Sequence, residues 1–165
     1  MKYNKVETLK HVIAISYANC VKDYNQIVLD EDDSINLLPT IFDNVQVIDL
    51  DCVEKKLAGN ERRNQKSTMD TTFAISDSLR LEMLLVELRF NYINLANLNR
   101  KKLLDKVAGS TSILGSSIKI NNDYIFIFKS NLIEQAKNRL LRMNPVIPSN
   151  YIVMDLQTLF DTYFK

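Results

Sequence analysis

The chain has 165 residues, of which 46% are hydrophobic and 25% charged, with three Gly, three Pro and a formal net charge of +1. That length buries a core large enough to fold without metal or disulfide staples, and the composition excludes a disordered or fibrous chain. The small net charge hides an asymmetry: residues 1–60 hold six Lys/Arg against ten Asp/Glu, whereas residues 89–142 hold ten against three, which points to an anionic partner for the second half.

Val6, Leu9, Ile13, Tyr17, Cys20 and Tyr24 recur at three- and four-residue spacing, which predicts one amphipathic helix of about five turns. Its apolar stretch from Val12 to Ile15 is too short for a signal-sequence core, and no run reaches membrane-spanning length, so a cytoplasmic location without membrane contact is expected by elimination. Cys20 and Cys52 belong to no paired ligand or redox motif and are expected as reduced core thiols. The acidic run Asp30 to Ser34 lacks the Gly and Glu that a calcium loop requires and reads as a solvated helix start. Pro39 suits the first turn of a short helix, and Asp51 to Ala58 predicts another, stopped by Gly59 and Asn60.

The period then changes. Thr71 to Ile75 is short, β-branched and apolar, the turn formers Ser76, Asp77 and Ser78 follow, and Leu81 to Tyr92 is a second extended run, so the pair predicts a β-hairpin. On its second strand Leu84, Val86, Leu88 and Phe90 share one face, to lie against helices, while Glu87, Arg89 and Asn91 share the other. A helix is predicted from about Asn99 through Leu114, with Gly109 weakening it. Tyr124 to Phe128 predicts a buried strand. Asn131 and Glu134 resemble a capping box opening a helix that ends near Met143, and residues 151–154 predict a last strand. Asp155 is placed to cap a final helix with an apolar stripe of Leu156, Leu159, Phe160 and Tyr163. The whole reads as one α/β domain with a sheet core: a helical part over 1–60, a core over about 61–145, and a closing strand and helix over 146–165.

Residues two apart on a strand share a face at roughly 6.6 to 7 Å, so Glu87 and Arg89 point into one cleft with Asp70 opposite on the neighbouring strand. Two carboxylates there suit a hard divalent cation such as Mg²⁺, which prefers oxygen ligands. An ordinary strand ion pair with a turn aspartate would use the same residues. The stretch Met69-Asp70-Thr71-Thr72-Phe73-Ala74-Ile75, a turn, and Leu84-Leu85-Val86-Glu87-Leu88-Arg89 resembles the core of the PD-(D/E)xK nuclease superfamily over roughly residues 50–145. That resemblance implies a restriction-endonuclease-like central sheet flanked by helices, with Asp70 and Glu87 as ligands of Mg²⁺ or Mn²⁺. It implies Glu61 as a further acidic residue from the preceding helix, and Arg89 in the place of the family's lysine. Met69 stands where the family name has Pro. Arginine stays protonated and cannot act as a base, so the Arg89 exchange bears on water activation, while phosphate orientation survives it.

Arg100, Lys101 and Lys102 fall at the predicted start of a helix, where cations are unfavourable and an anion relieves them. Lys106, Lys119, Lys129, Lys137, Arg139 and Arg142 extend the basic character, and Tyr92 and Tyr124 are placed either to stack on bases or to fill the core. His11, the sole histidine, has no recognisable nucleophile beside it and reads as structural; a zinc site is not expected, for the same shortage of ligands. The expected function is Mg²⁺-dependent hydrolysis of DNA or RNA, with Arg89 on the phosphate and Arg100, Lys101, Lys102 and Lys106 on the nucleic acid. The alternative is a non-catalytic interaction protein of the same fold that binds nucleic acid or a protein partner.

Overall fold

The computed structural model describes residues 1–32 and 41–165. Seven strands form one mixed sheet: β1 (Lys2–Tyr3), β2 (Val21–Asp23), β3 (Gln46–Asp49), β4 (Thr71–Ser76), β5 (Leu81–Leu88), β6 (Lys119–Ile127) and β7 (Tyr151–Met154). Among the described residues the α-helices are α1 (Lys5–Lys10), α2 (Val12–Ser16), α3 (Tyr24–Glu31), α4 (Leu50–Glu61), α5 (Arg100–Leu114), α6 (Ile133–Leu141) and α7 (Leu156–Tyr163). The strand order is β2-β3-β4-β5-β6-β7, with β1 also pairing β4. Neighbours from β2 to β5 are antiparallel, β4 and β5 through a short turn and the others through segments that contain α3 and α4, whereas β5, β6 and β7 are parallel because α5 and α6 carry the chain back across the sheet. The chain is thus an α/β fold with a central sheet and the expected β4–β5 hairpin.

Strand alternation divides the core in two. Ala74, Met83, Leu85 and Phe126 face a cluster with Val53 of α4, Leu103 and Val107 of α5 and Ala136 and Leu140 of α6. Phe73, Ile75, Leu84, Val86, Ile125 and Ile127 face the other, with Tyr24 and Val28 of α3 and Leu159 of α7. Leu88 and Phe90 join the second cluster as the hairpin pattern requires. Asp155 caps α7 by accepting from the Thr158 N–H at 2.8 Å.

Five expectations change. The five-turn N-terminal helix is broken: His11 leaves the helical backbone (ψ 137°), its Nδ1 accepts from the Ile13 N–H to start α2, and Val21 pairs with Ile48 in β2. The 3.6-residue spacing spans unrelated environments: Val6 and Leu9 are exposed, Ile13, Tyr17 and Cys20 pack on one face of the sheet, and Tyr24 packs on the other. The part over 1–60 therefore contributes three strands besides its helices. Asp30 and Glu31 end α3 rather than starting a helix, while Asp33, Ser34 and Pro39 lie outside the described residues. α4 runs through Gly59 and Asn60 to Glu61, and β6 begins earlier than Tyr124, at Lys119. The capping box at Asn131 and Glu134 is not formed; a 3₁₀ turn over Ser130–Leu132 leads into α6, which has no side-chain cap.

Cys20 and Cys52 are joined in a disulfide and are not free thiols. Cys20 immediately precedes β2 and Cys52 sits in the first turn of α4 just after β3, so the β2–β3 ladder brings together residues 32 apart in sequence. In the chain-entropy account, closing a loop of that length contributes about 3–4 kcal/mol. Disulfides persist chiefly in oxidising compartments, so the thiols lend no support to a reducing one. Among the described residues no helix is long and apolar enough to cross a membrane.

Candidate functional site

The site is built where the hairpin opens. β4 and β5 pair with Thr71 opposite Val86, and continuing that register by one residue sets Asp70 opposite Glu87, both on the face covered by α4 and α5. The segment leading into β4 is pinned at several points. The Lys66 N–H donates to Glu54 at 2.7 Å, the Thr68 hydroxyl donates to Asp51, and the Met69 N–H donates to Ser110 Oγ of α5 at 2.7 Å. The Asp70 carbonyl accepts from the Leu50 N–H at 2.9 Å, and its carboxylate Oδ2 accepts from the Leu88 N–H at 2.5 Å. Asp70 and Glu87 are both buried, Glu87 to 1% exposure.

Lys106 of α5 joins the two carboxylates. Its Nζ lies 2.8 Å from Glu87 Oε1, 3.0 Å from Glu87 Oε2 and 3.5 Å from Asp70 Oδ1. Arg89 completes the group, with Nη2 2.9 Å from Glu87 Oε1 and its guanidinium carbon 5.7 Å from the centre of the Tyr92 ring, while its buried Nε has no hydrogen-bond partner among the described residues. These side chains line a cleft of about 210 Å³ with Asp51 from the first turn of α4 and Glu31 from the end of α3. Four carboxylates thus face two cations.

Gly109 makes this geometry possible. A Cβ built there would meet the Ser67 carbonyl oxygen at 2.0 Å, so only glycine lets α5 lie this close to the segment that delivers Asp70. The helix continues through it instead of weakening. Gly109→Ala is expected to destabilise the fold by about 2–3 kcal/mol through this backbone overlap, measured as the shift in a urea unfolding curve.

Burial, and then the Asp70 charge, push the Glu87 carboxyl up to about 8 despite the pull of Arg89 and Lys106. Burial also raises Asp70, although Lys106 and the Leu88 N–H pull it down, and burial with Asp70 and Asp51 raises Glu31. Burial works to lower the Lys106 ammonium, yet Glu87 and Asp70 outweigh it and hold the group above the usual lysine value. A carboxyl raised in the folded state keeps a proton that the unfolded chain has released. Its contribution to stability is complete below the unfolded value of about 4.3 and is lost as pH rises through about 8. The metal-free protein should therefore lose stability from about pH 4.3 up to about pH 8, offset in part below about pH 6.5 by His11, whose burial-lowered pKa acts in the opposite sense. Glu87→Gln should shrink that fall, most clearly between about pH 6 and 8, read as melting temperature against pH.

The expected site residues separate. Asp70, Glu87 and Arg89 come together as the spacing required. Glu61 does not join them: it is exposed at the far end of α4, paired with Arg63, and Asp51 from the opposite end of that helix lines the cleft instead. Lys106, expected on a nucleic-acid surface, is half-buried against the carboxylates. Arg100 borders a different cleft, Lys101 is tied to Asp105 at 2.5 Å, and the Lys102 N–H is capped by Asn99. Lys106 and Asp51 carried no motif signal; only the docking of α5 and α4 on the hairpin reveals them.

Among the described residues no three His, Cys, Asp or Glu side chains converge as a ready-made metal centre. The Asp70–Glu87 pair nonetheless fits Mg²⁺, which keeps several waters and takes only one or two protein carboxylates. Burial and the Asp70 charge raise the Glu87 pKa despite Lys106 and Arg89, and a bound divalent cation would offset both. No protein-family model matches the chain, and searches of curated proteins and of solved structures return no match.

Proposed function

We propose that this chain is a metal-dependent phosphodiesterase of the PD-(D/E)xK type that cleaves DNA or RNA. One observation carries the reading: Lys106 Nζ touches both Asp70 and Glu87 across adjacent strands, so two buried carboxylates and a lysine form one unit although the lysine comes from α5 rather than from two residues past the glutamate. Like charges set directly opposite on a sheet are unfavourable, and a buried pair retained in a cleft is the arrangement expected of a site that takes a cation. Asp70 and Glu87 would hold Mg²⁺ or Mn²⁺, which when bound lowers the pKa of a water and polarises the phosphate. Lys106, kept protonated by its two carboxylates, supplies positive charge where the phosphate oxygens accumulate negative charge. Arg89 orients the phosphate: its fork is held by Glu87 and Tyr92, which leaves Nε as a donor in need of an acceptor. Asp51 and Glu31 add negative charge that keeps an anionic strand out of the cleft until a divalent cation offsets it.

The alternative, a non-catalytic protein that binds nucleic acid or a protein partner, is favoured by one feature: each carboxylate already has a protein cation against it. Incubating labelled single- and double-stranded DNA and RNA with Mg²⁺ or Mn²⁺ separates the two. Cleavage by the wild type that disappears in Glu87→Ala supports the hydrolase, whereas cleavage unchanged in that variant, or none by either protein, removes it.

A further inference from the structure

The start of α5 and the end of α6 enclose a second cleft, of about 400 Å³, with the opposite chemistry. Arg100, Arg139 and Arg142 meet there with Asn97 and Asn99, and no Asp or Glu lines it. Arg139 donates to the Ala96 and Leu98 carbonyls at 3.3 and 3.2 Å, which fixes the loop after Tyr92 against α6. The Arg100 and Arg142 side chains make no hydrogen bond or ion pair among the described residues, and the Nε atoms of Arg100 and Arg139 are buried without a partner. Three like charges with spare donors and no counter-charge are unfavourable as they stand, and an acceptor with several oxygens relieves both problems.

A polymer suits the surface better than a small anion. A second groove, of about 360 Å³, is also lined by Arg139 and Arg142, together with Gln135 and Asn138, and again has no acidic wall. Arg139 and Arg142 are thus shared by two amide-lined grooves. Arg100 and Lys106 are six residues apart on α5, about 9 Å along its axis, or roughly two to three nucleotides of a duplex strand. The chain from Arg89 to Asn99 walls both sites.

We propose that the α5–α6 cleft seats a backbone phosphate of the nucleic acid, two or three nucleotides from the bond placed at Asp70 and Glu87. Arg100 and Arg142 contact the phosphate, and Arg139 is a positioning residue that holds the wall. The choice of ligand rests on the phosphodiester reading; the cleft itself does not.

The test is fluorescence anisotropy of a fluorescein-labelled single-stranded DNA of about 20 nucleotides, titrated with metal-free protein in EDTA at several salt concentrations. The Arg100→Ala/Arg142→Ala double variant should bind at least about tenfold more weakly, with the slope of log affinity against log salt reduced by about one to two. Arg142→Glu, a change at an exposed position, should weaken binding as much and provides the readout if the double variant melts early. Unchanged affinity and slope in both variants would overturn the cleft, as would polyglutamate displacing the DNA at equal charge concentration, which would mark a site for an acidic protein. Because binding is read without metal, the two readings fail separately. Metal-dependent cleavage with unaltered binding in the variants removes only the cleft, and variant-sensitive binding without cleavage removes only the hydrolase.

Discussion

Replacing Lys106 by methionine is expected to lower phosphodiester cleavage by about 10²–10³-fold, the loss that follows removal of one well-placed donor from a site of developing negative charge. Methionine keeps the volume of the lysine stem and removes the ammonium that contacts Glu87 and Asp70. The same change strips a cation from two buried carboxylates, so the metal-free protein should also lose about 3 kcal/mol at pH 9, with less loss at pH 6, where Glu87 holds its proton. Arg89→Met should cost less, about tenfold, because Arg89 touches Glu87 alone of the pair. Activity of Lys106→Met equal to wild type, in a protein shown to be folded by its melting curve, would remove lysine from the site.

Asp70→Asn should abolish cleavage to a larger extent, about 10³-fold or more, since one of two ligating carboxylates is lost. The amide oxygen can still accept the Leu88 N–H, so the local fold survives. Asp70 is one of the groups that raise Glu87, and removing its charge should bring Glu87 down and make the metal-free variant more stable than wild type at pH 8, by about 1 kcal/mol. Lost activity with gained stability is the signature of a residue kept for function; a variant that loses both would mark Asp70 as structural.

The hairpin was legible because β4 and β5 are six and eight residues long, enough for the two-residue period and the turn formers to register. From it followed the facing of Asp70 and Glu87, which depends on a single antiparallel ladder. The strands β1, β2 and β3 are two to four residues long and, unlike the equally short β7 that follows the Pro148-Ser149-Asn150 turn formers, β1 and β2 sit in a run whose spacing reads as a helical period. The disulfide was hidden for the same reason, since only the β2–β3 pairing brings Cys20 to Cys52. Glu61 was chosen as the acidic residue nearest in sequence, but the nine residues 62–70 carry the chain back along α4, and the Leu50 N–H meets the Asp70 carbonyl. The first turn of the helix therefore faces the site, and Asp51 with it. Lys106 read as one more cation in a basic half because nothing local marks a helix face that will lie over a strand. Gly109 carried a signal with the wrong sign: its low helix propensity suggested a break, whereas the close approach of Ser67 demands it.

The most direct test is calorimetric titration of Mn²⁺ into the metal-free protein at pH 8, with Asp70→Asn and Glu87→Gln alongside. One ion per chain with release of protons, and binding lost in both variants, is the predicted result. Wild-type protein that binds no Mn²⁺, or variants that bind it as tightly as wild type, would contradict a cation site between these two carboxylates.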